Sequence, residues 1–239
     1  MRGARKANAG AGVLIDGAGV RTKTYWSLVG LLALGLAGLA FWPQGDLAVA
    51  RLFWSGGRFV GKGPTAETIR LIGWYLPFAV LAFFAFAWTF GRLFRRWPGR
   101  WTPSGRALAF LALSMALGPG LVVNGVLKEQ SHRPRPAQTR EFGGPWTFRP
   151  LYRFDGQCGR NCSFVSGETA SAFWMVAPAS LAPPPFRAAA VAGALVFGAA
   201  VGALRMAFGG HYLSDVLAAA LIALFVVAAI RRMLLRARS

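Results

Sequence analysis

The 239-residue chain sets 27 Lys/Arg against 8 Asp/Glu, a net charge of +19, and is 55% hydrophobic. With a mean hydropathy of +0.44, that apolar content excludes an ordinary soluble domain and points to a membrane protein. The cations fall mainly between apolar runs, which argues against a nucleic-acid partner. Two His and two Cys give neither a zinc quartet nor a cysteine framework.

Residues 1–24 carry Arg2, Arg5, Lys6, Arg21 and Lys23 against the single acid Asp16, with little periodicity, and predict a basic cytosolic tail. The first apolar run, 25–42, would span about 27 Å as a helix, near the hydrocarbon thickness. Ala48-Val49-Ala50 resembles a signal cleavage site, but the run exceeds a usual signal core, so a retained anchor is expected. Residues 43–70 mix apolar and basic side chains and are expected to form a loop along the bilayer surface. A second span, 71–94, tolerates Pro77 as a kink and ends in Arg92, Arg95, Arg96, Arg100 and Arg106, a cluster that marks the cytosolic side.

A third span, 107–127, is interrupted by Gly118-Pro119-Gly120 and runs into the longest polar segment, 128–165. Spans 166–182 and 186–208 flank the Pro183-Pro184-Pro185 turn; Gly198 and Gly202 give the latter a surface for close helix packing. A sixth span, 212–230, precedes the basic tail 231–239. With an even count both termini share one side, and segments assigned to it hold 15 of the 27 Lys/Arg, so that side is taken as cytosolic. The polar segment then meets the Gly209-Gly210-His211 turn on the extracytosolic face. Cys158 and Cys162 would lie there too, where a disulfide is permitted, with free thiols as the alternative.

Three stretches carry chemistry. Arg205 to Asp215 reads R-M-A-F-G-G-H-Y-L-S-D: the glycine pair ends one helix, His211 opens the next, and Asp215 follows on the same face. A carboxylate on one imidazole nitrogen makes the other basic, as a nucleophile requires; a helix-end His capped by a local Asp is the plainer reading. Lys128 and Arg135, the latter in a proline-stiffened turn, suit a multiply charged oxyanion, or simply anionic headgroups. Ser166 and Gly167 stand where a helix begins, offering a hydroxyl and free amides to a phosphate, or ordinary N-capping.

In this order and spacing, K-x6-R-P, then S-G, then R-x5-H-x3-D, the chain resembles the type 2 phosphatidic acid phosphatase superfamily over residues 71–230. The resemblance implies an all-α polytopic membrane protein with six transmembrane helices, one domain over 25–230, and a helical core shared with the haloperoxidases. It implies His211 as nucleophile through a phosphohistidine, Asp215 as its orienting partner, and Lys128, Arg135 and Arg205 as phosphoryl-binding cations. Ser166 and Gly167 would add transition-state hydrogen bonds, and no metal or other cofactor is implied.

Two positions depart from the family pattern. Glu168 stands where a histidine normally protonates the leaving group, and Leu204 precedes Arg205 where serine is usual. Either Glu168 is the acid, or the leaving group needs little protonation, or turnover is weak. His132 could substitute as donor, although a solvent-facing loop histidine is the plainer expectation. The expected function is hydrolysis of a lipid phosphate or diphosphate at the outer face of a bacterial cytoplasmic membrane. A headgroup transferase and a non-catalytic lipid-phosphate binder are the alternatives. The expected partners are that lipid and the bilayer, with no protein partner or nucleic acid.

Overall fold

The structure, a computed structural model, describes residues 22–94 and 102–235. Most of the two expected tails, 1–21 and 236–239, and Arg95, Arg96 and Arg100 of the expected cytosolic cluster lie outside the described residues. Within them the chain is helical: α1 (Thr22–Phe41), α2 (Gln44–Arg51), α3 (Pro64–Leu93), α4 (Gly105–Met115), α5 (Lys128–Gln130), α6 (Gly167–Trp174), α7 (Val176–Ala179), α8 (Pro184–Ala207) and α9 (Leu213–Leu235). A small hairpin, β1 (Trp54–Ser55) and β2 (Arg58–Phe59), follows α2.

Among the described residues, five helices are long and apolar enough to cross a membrane: Lys23–Phe41, Pro64–Leu93, Gly105–Gln130, Pro184–Ala207 and Leu213–Leu235. Many large apolar side chains on them, such as Leu31, Leu34, Phe83, Phe86, Val196 and Phe225, are exposed, as expected where lipid is the solvent. The protein is therefore an all-α integral membrane protein.

The expected fourth span takes a different form. It is a broken helix, α6 then α7, whose 167–179 stretch is about 20 Å long against roughly 30 Å of hydrocarbon. Pro178 is the cause: it has no N–H to give Trp174, and its ring crowds that carbonyl. The chain tightens one turn earlier, where Met175 N–H donates to Ala172 O at 3.1 Å. Short as it is, α6 is the centre of the bundle, packed against α3, α8, α9 and the helix that follows α4. Trp174 is fully buried there, and its Nε1–H donates to Ser114 Oγ at 2.9 Å.

The third span is also unusual. The Gly118-Pro119-Gly120 interruption does not break it; Ala116–Leu127 continues α4 as a wider π-helix that leads into α5. Asn124 Nδ2–H donates to Pro119 O at 2.7 Å, so the region around the proline is stitched by a side chain.

The segment 43–70, expected as a surface loop, is folded: its last seven residues open α3, and the rest forms α2 and the hairpin. Gly56 and Gly57 have φ of 57° and 75°, the positive values a two-residue I′ hairpin turn requires. The hairpin buries Phe59 against Gly209, where a Cβ would stand 2.3 Å from the ring, and Gly209 itself has φ +64°. Gly61 N–H donates to Ala207 O at 2.8 Å. This segment thus clamps the turn between α8 and α9.

Gly198 lies beneath Phe173 of α6, with a Cβ at that position 2.7 Å from the ring, and Gly202 lies against Val216 of α9. Gly193, on the same helix, has nothing within 4 Å. Gly198→Ala should lower the thermal midpoint in detergent, a loss of about 1–3 kcal/mol by overpacking, while Gly193→Ala should leave it unchanged or raise it by up to about 1 kcal/mol.

Candidate active site

Lys128, Arg135, Gly167, Glu168 and Arg205 line one cavity of about 300 Å³. They arrive from α5, the loop after it, the start of α6 and the end of α8. Close packing fixes the edges: a Cβ on Gly167 would come 2.3 Å from Asn124 Oδ1, so only glycine lets the π-helix approach the α6 N-terminus. Arg135 donates from Nη2 to Asn161 O at 2.9 Å, and its backbone N–H to Gln138 Oε1 at 2.9 Å. Asn161 lies within the short loop closed by the Cys158–Cys162 disulfide.

His211 sits two residues before α9 and is 2% exposed; it is not among the residues that line the cavity. Its Nδ1–H donates to the backbone carbonyl of Ser163 at 2.7 Å, which leaves Nε2 as the nitrogen with a free lone pair. Asp215 Oδ2 stands 3.6 Å from Nδ1, close enough to stabilise that tautomer electrostatically, but the hydrogen bond itself belongs to Ser163. Oδ2 is occupied by Ser163 Oγ–H at 2.5 Å and Tyr212 N–H at 2.8 Å. Asp215 therefore reaches the imidazole by hydrogen bonds only through Ser163, an indirect arrangement that differs from the direct pairing expected.

Burial pushes the His211 imidazole down to about 4; Asp215 opposes that shift, and the nearby Arg205 and Arg135 guanidiniums add to it. The ring is neutral at physiological pH, as a nucleophile must be.

Ser166 is not brought to the cavity as a free hydroxyl. It is fully buried, caps α6 by accepting Thr169 N–H at 3.4 Å, and shares a hydrogen bond with Thr169 Oγ1 at 2.7 Å. The capping reading holds for its side chain. His132, expected to face solvent, is half-buried, with Nδ1 2.9 Å from Cys158 O.

Several residues were not visible as site residues in the sequence. Arg70, on α3, lines the cavity and donates from Nη1 to Glu168 Oε1 at 2.7 Å while gripping Glu67 with Nε and Nη2. The Arg205 guanidinium approaches the same Glu168 oxygen at 3.5 Å. Glu168 Oε2 is buried and accepts no hydrogen bond from the described residues, and Arg205 Nε, buried too, meets Glu168 Oε1 only as that longer ion pair. The overlooked signal was Pro64 with Glu67 three residues on, a helix start that carries α3 back past Leu71 and puts Glu67 and Arg70 on one face. Arg133, two residues before Arg135, is 1% exposed and bonded to Asp46 and Asp215; only its own X-R-P context hinted at it.

A bundle of membrane-crossing helices with a cationic cavity beside a buried histidine defines a class, and the comparison with known families agrees: the PAP2 superfamily matches residues 107–239. The chain belongs to that superfamily. Among curated relatives, a lipid A 4'-phosphatase of Rhizobium etli is 33% identical over 221 residues, covering 86% of this chain and 84% of that protein. Lipid A 4'-phosphatases of Francisella tularensis subsp. novicida and Rhizobium leguminosarum are 41% and 44% identical over 112 and 117 residues. The matches to these two span 50% of each relative's length and 46% and 49% of this chain. No solved structure matches the chain.

The buried neutral His211 makes stability depend on pH. Its value in the fold, about 4, lies below the ordinary 6.5, so between the two the unfolded chain binds the extra proton and stability falls as pH falls. Relative to His211→Asn, the wild-type protein should lose thermal stability progressively from about pH 6.5 down to about pH 4, by up to about 3 kcal/mol. Parallel melting curves across that range would contradict a buried neutral imidazole.

Proposed function

We propose that this protein is a membrane phosphatase that hydrolyses the phosphate monoester of a lipid, of the lipid A type named for its relatives, through a phosphohistidine on His211. The observation that carries the reading is convergence. Stretches far apart in sequence bring Lys128, Arg135, Arg205 and Arg70 to one small cavity, next to a neutral imidazole whose tautomer is fixed by Ser163.

In this mechanism the phosphate enters among the four cations and the amide of Gly167 at the α6 N-terminus. His211 Nε2 attacks phosphorus in line with the leaving oxygen. Charge building on the equatorial oxygens is met by preorganised guanidinium and ammonium donors, each worth on the order of 3 kcal/mol. Glu168 takes the place of the family's histidine as proton donor. Its Oε1 is held by Arg70, and Oε2, buried without a protein donor, is the oxygen assigned to carry the proton. The phosphate dianion competes for Arg205 and loosens its hold on that carboxyl. After the leaving group departs, Glu168 accepts a proton from the attacking water, phosphate is released and His211 is regenerated.

We place the cavity at the extracytosolic face of a bacterial cytoplasmic membrane, with both termini cytosolic. The bias of Lys/Arg toward the opposite segments supports this, as does the Cys158–Cys162 disulfide, at home in an oxidising compartment.

Purified protein should release inorganic phosphate from a lipid A-type phosphate without added alcohol acceptor, and 32P should be trapped on wild type but not on His211→Ala. Absence of phosphate release from every lipid phosphate in a panel, or label retained in His211→Ala, would sink the proposal. Glu168→Gln should slow sugar and alkyl phosphates by roughly 10²-fold or more yet barely affect an aryl phosphate, whose leaving group needs no proton. Equal losses on both would remove Glu168 as the donor.

A further inference from the structure

Beneath the nucleophilic turn lies a charged cluster with no contact to the cavity. Arg133 is 1% exposed, and its guanidinium divides between two carboxylates: Nη1 donates to Asp215 Oδ1 at 2.5 Å and Nη2 to Asp46 Oδ2 at 2.7 Å. Nη1 also donates to Ser214 Oγ at 2.8 Å, and Nε to Arg149 O at 2.9 Å. Asp46 completes the set by accepting Ser214 N–H on Oδ1 at 2.9 Å and Ser214 Oγ–H on Oδ2 at 2.6 Å. The Tyr212 ring lies 4.4 Å from the Arg133 Cζ.

The charge count is unusual for an interior. One guanidinium and two carboxylates leave a net charge of −1 while His211 is neutral. Burying such a cluster is costly, and a single Arg–Asp pair would have balanced itself. The second carboxylate comes from α2, N-terminal to the superfamily match at 107–239.

We infer that Asp46 and Arg133 are positioning residues for phosphoryl transfer, and that Asp46 supplies the negative charge that offsets the cationic phosphoimidazole formed on His211. The inference rests on the phosphohistidine reading given above. As Nε2 bonds to phosphorus and the bond from phosphorus to the leaving oxygen breaks, Nδ1 keeps its proton, donated to Ser163 O, and the ring becomes positive. The leaving oxygen takes its proton from Glu168. Ring and cluster then sum to zero in a site where Arg135 and Arg205 would otherwise oppose a buried cation. Without Asp46, Arg133 would cancel Asp215, and the new charge would have no counterion.

The test uses two inhibitors of the purified full chain. Orthovanadate expands to five-coordination by bonding an imidazole nitrogen and so calls up the ring charge; inorganic phosphate binds as a tetrahedral anion and does not. Asp46→Asn keeps the side chain's size and one carbonyl acceptor. It should weaken orthovanadate inhibition about 10-fold or more and lower kcat comparably, leaving phosphate inhibition within about 3-fold. Asp46→Asn combined with Arg133→Met leaves Asp215 alone with its −1 and should recover most of the lost orthovanadate affinity. Equal weakening of both inhibitors in Asp46→Asn would overturn the inference and mark Asp46 as structural; unchanged orthovanadate inhibition would overturn it too. The single variant decides the matter if the double one does not fold. Failure of the phosphohistidine reading shows separately, as wild-type protein that traps no label on His211.

Discussion

The fork of Arg133 is the interaction on which the site depends. It ties α2, the polar loop and the start of α9 into one unit by holding Asp46 and Asp215 at once, and Ser214 adds hydrogen bonds on both sides. A buried guanidinium is tolerable only when its donors are spent on partners, and here the loop after α5 closes in a register that meets both carboxylates. The position of Asp215, and through Ser163 that of His211, follows from that register.

Asp46, Arg133 and Asp215 are not among the residues that line the cavity, so the two charge populations are kept apart. Carboxylates gather beneath the imidazole, the cations Arg70, Lys128, Arg135 and Arg205 line the cavity, and Glu168 is the acid that lines it with them. The short loop closed by Cys158 and Cys162 joins them. Asn161 inside it holds Arg135, and Ser163 just after it holds His211. A few residues thus set the spacing between the imidazole and the cations that line the cavity, a quantity to which the proposed phosphoryl transfer would be sensitive.

Much of this was legible in the sequence. Charged residues next to long apolar runs stand out because they are costly there, and the family spacing then grouped Lys128, Arg135, Gly167, Glu168 and Arg205, which the fold does bring to one cavity. Five long apolar runs became long helices for the same reason. What was missed depended on tertiary contact. Arg70 meets Glu168 across 98 positions and Asp46 meets Arg133 across 87, with no periodicity to announce either. The hairpin at 54–59 was hidden by aromatic residues that suggested an interface, although Gly56-Gly57 carried the turn signal. Ser166 was read as donor or cap because a helix N-terminus permits both; only the nearness of Thr169 decides between them.

The wide winding of Ala116–Leu127 has a consequence for the direction in which the following residues face. Each turn of a π-helix takes more residues than an α-turn, so twelve residues wound this way bring Asn124 and Lys128 to a different azimuth from the one regular α-geometry would give. Rewound as an α-helix, the same segment would swing the ammonium group away from the α6 N-terminus and slide Asn124 off Gly167. The proline and glycines that look like a flaw in a membrane helix therefore act as a rotational adjustment, aiming a charge borne at the end of the helix.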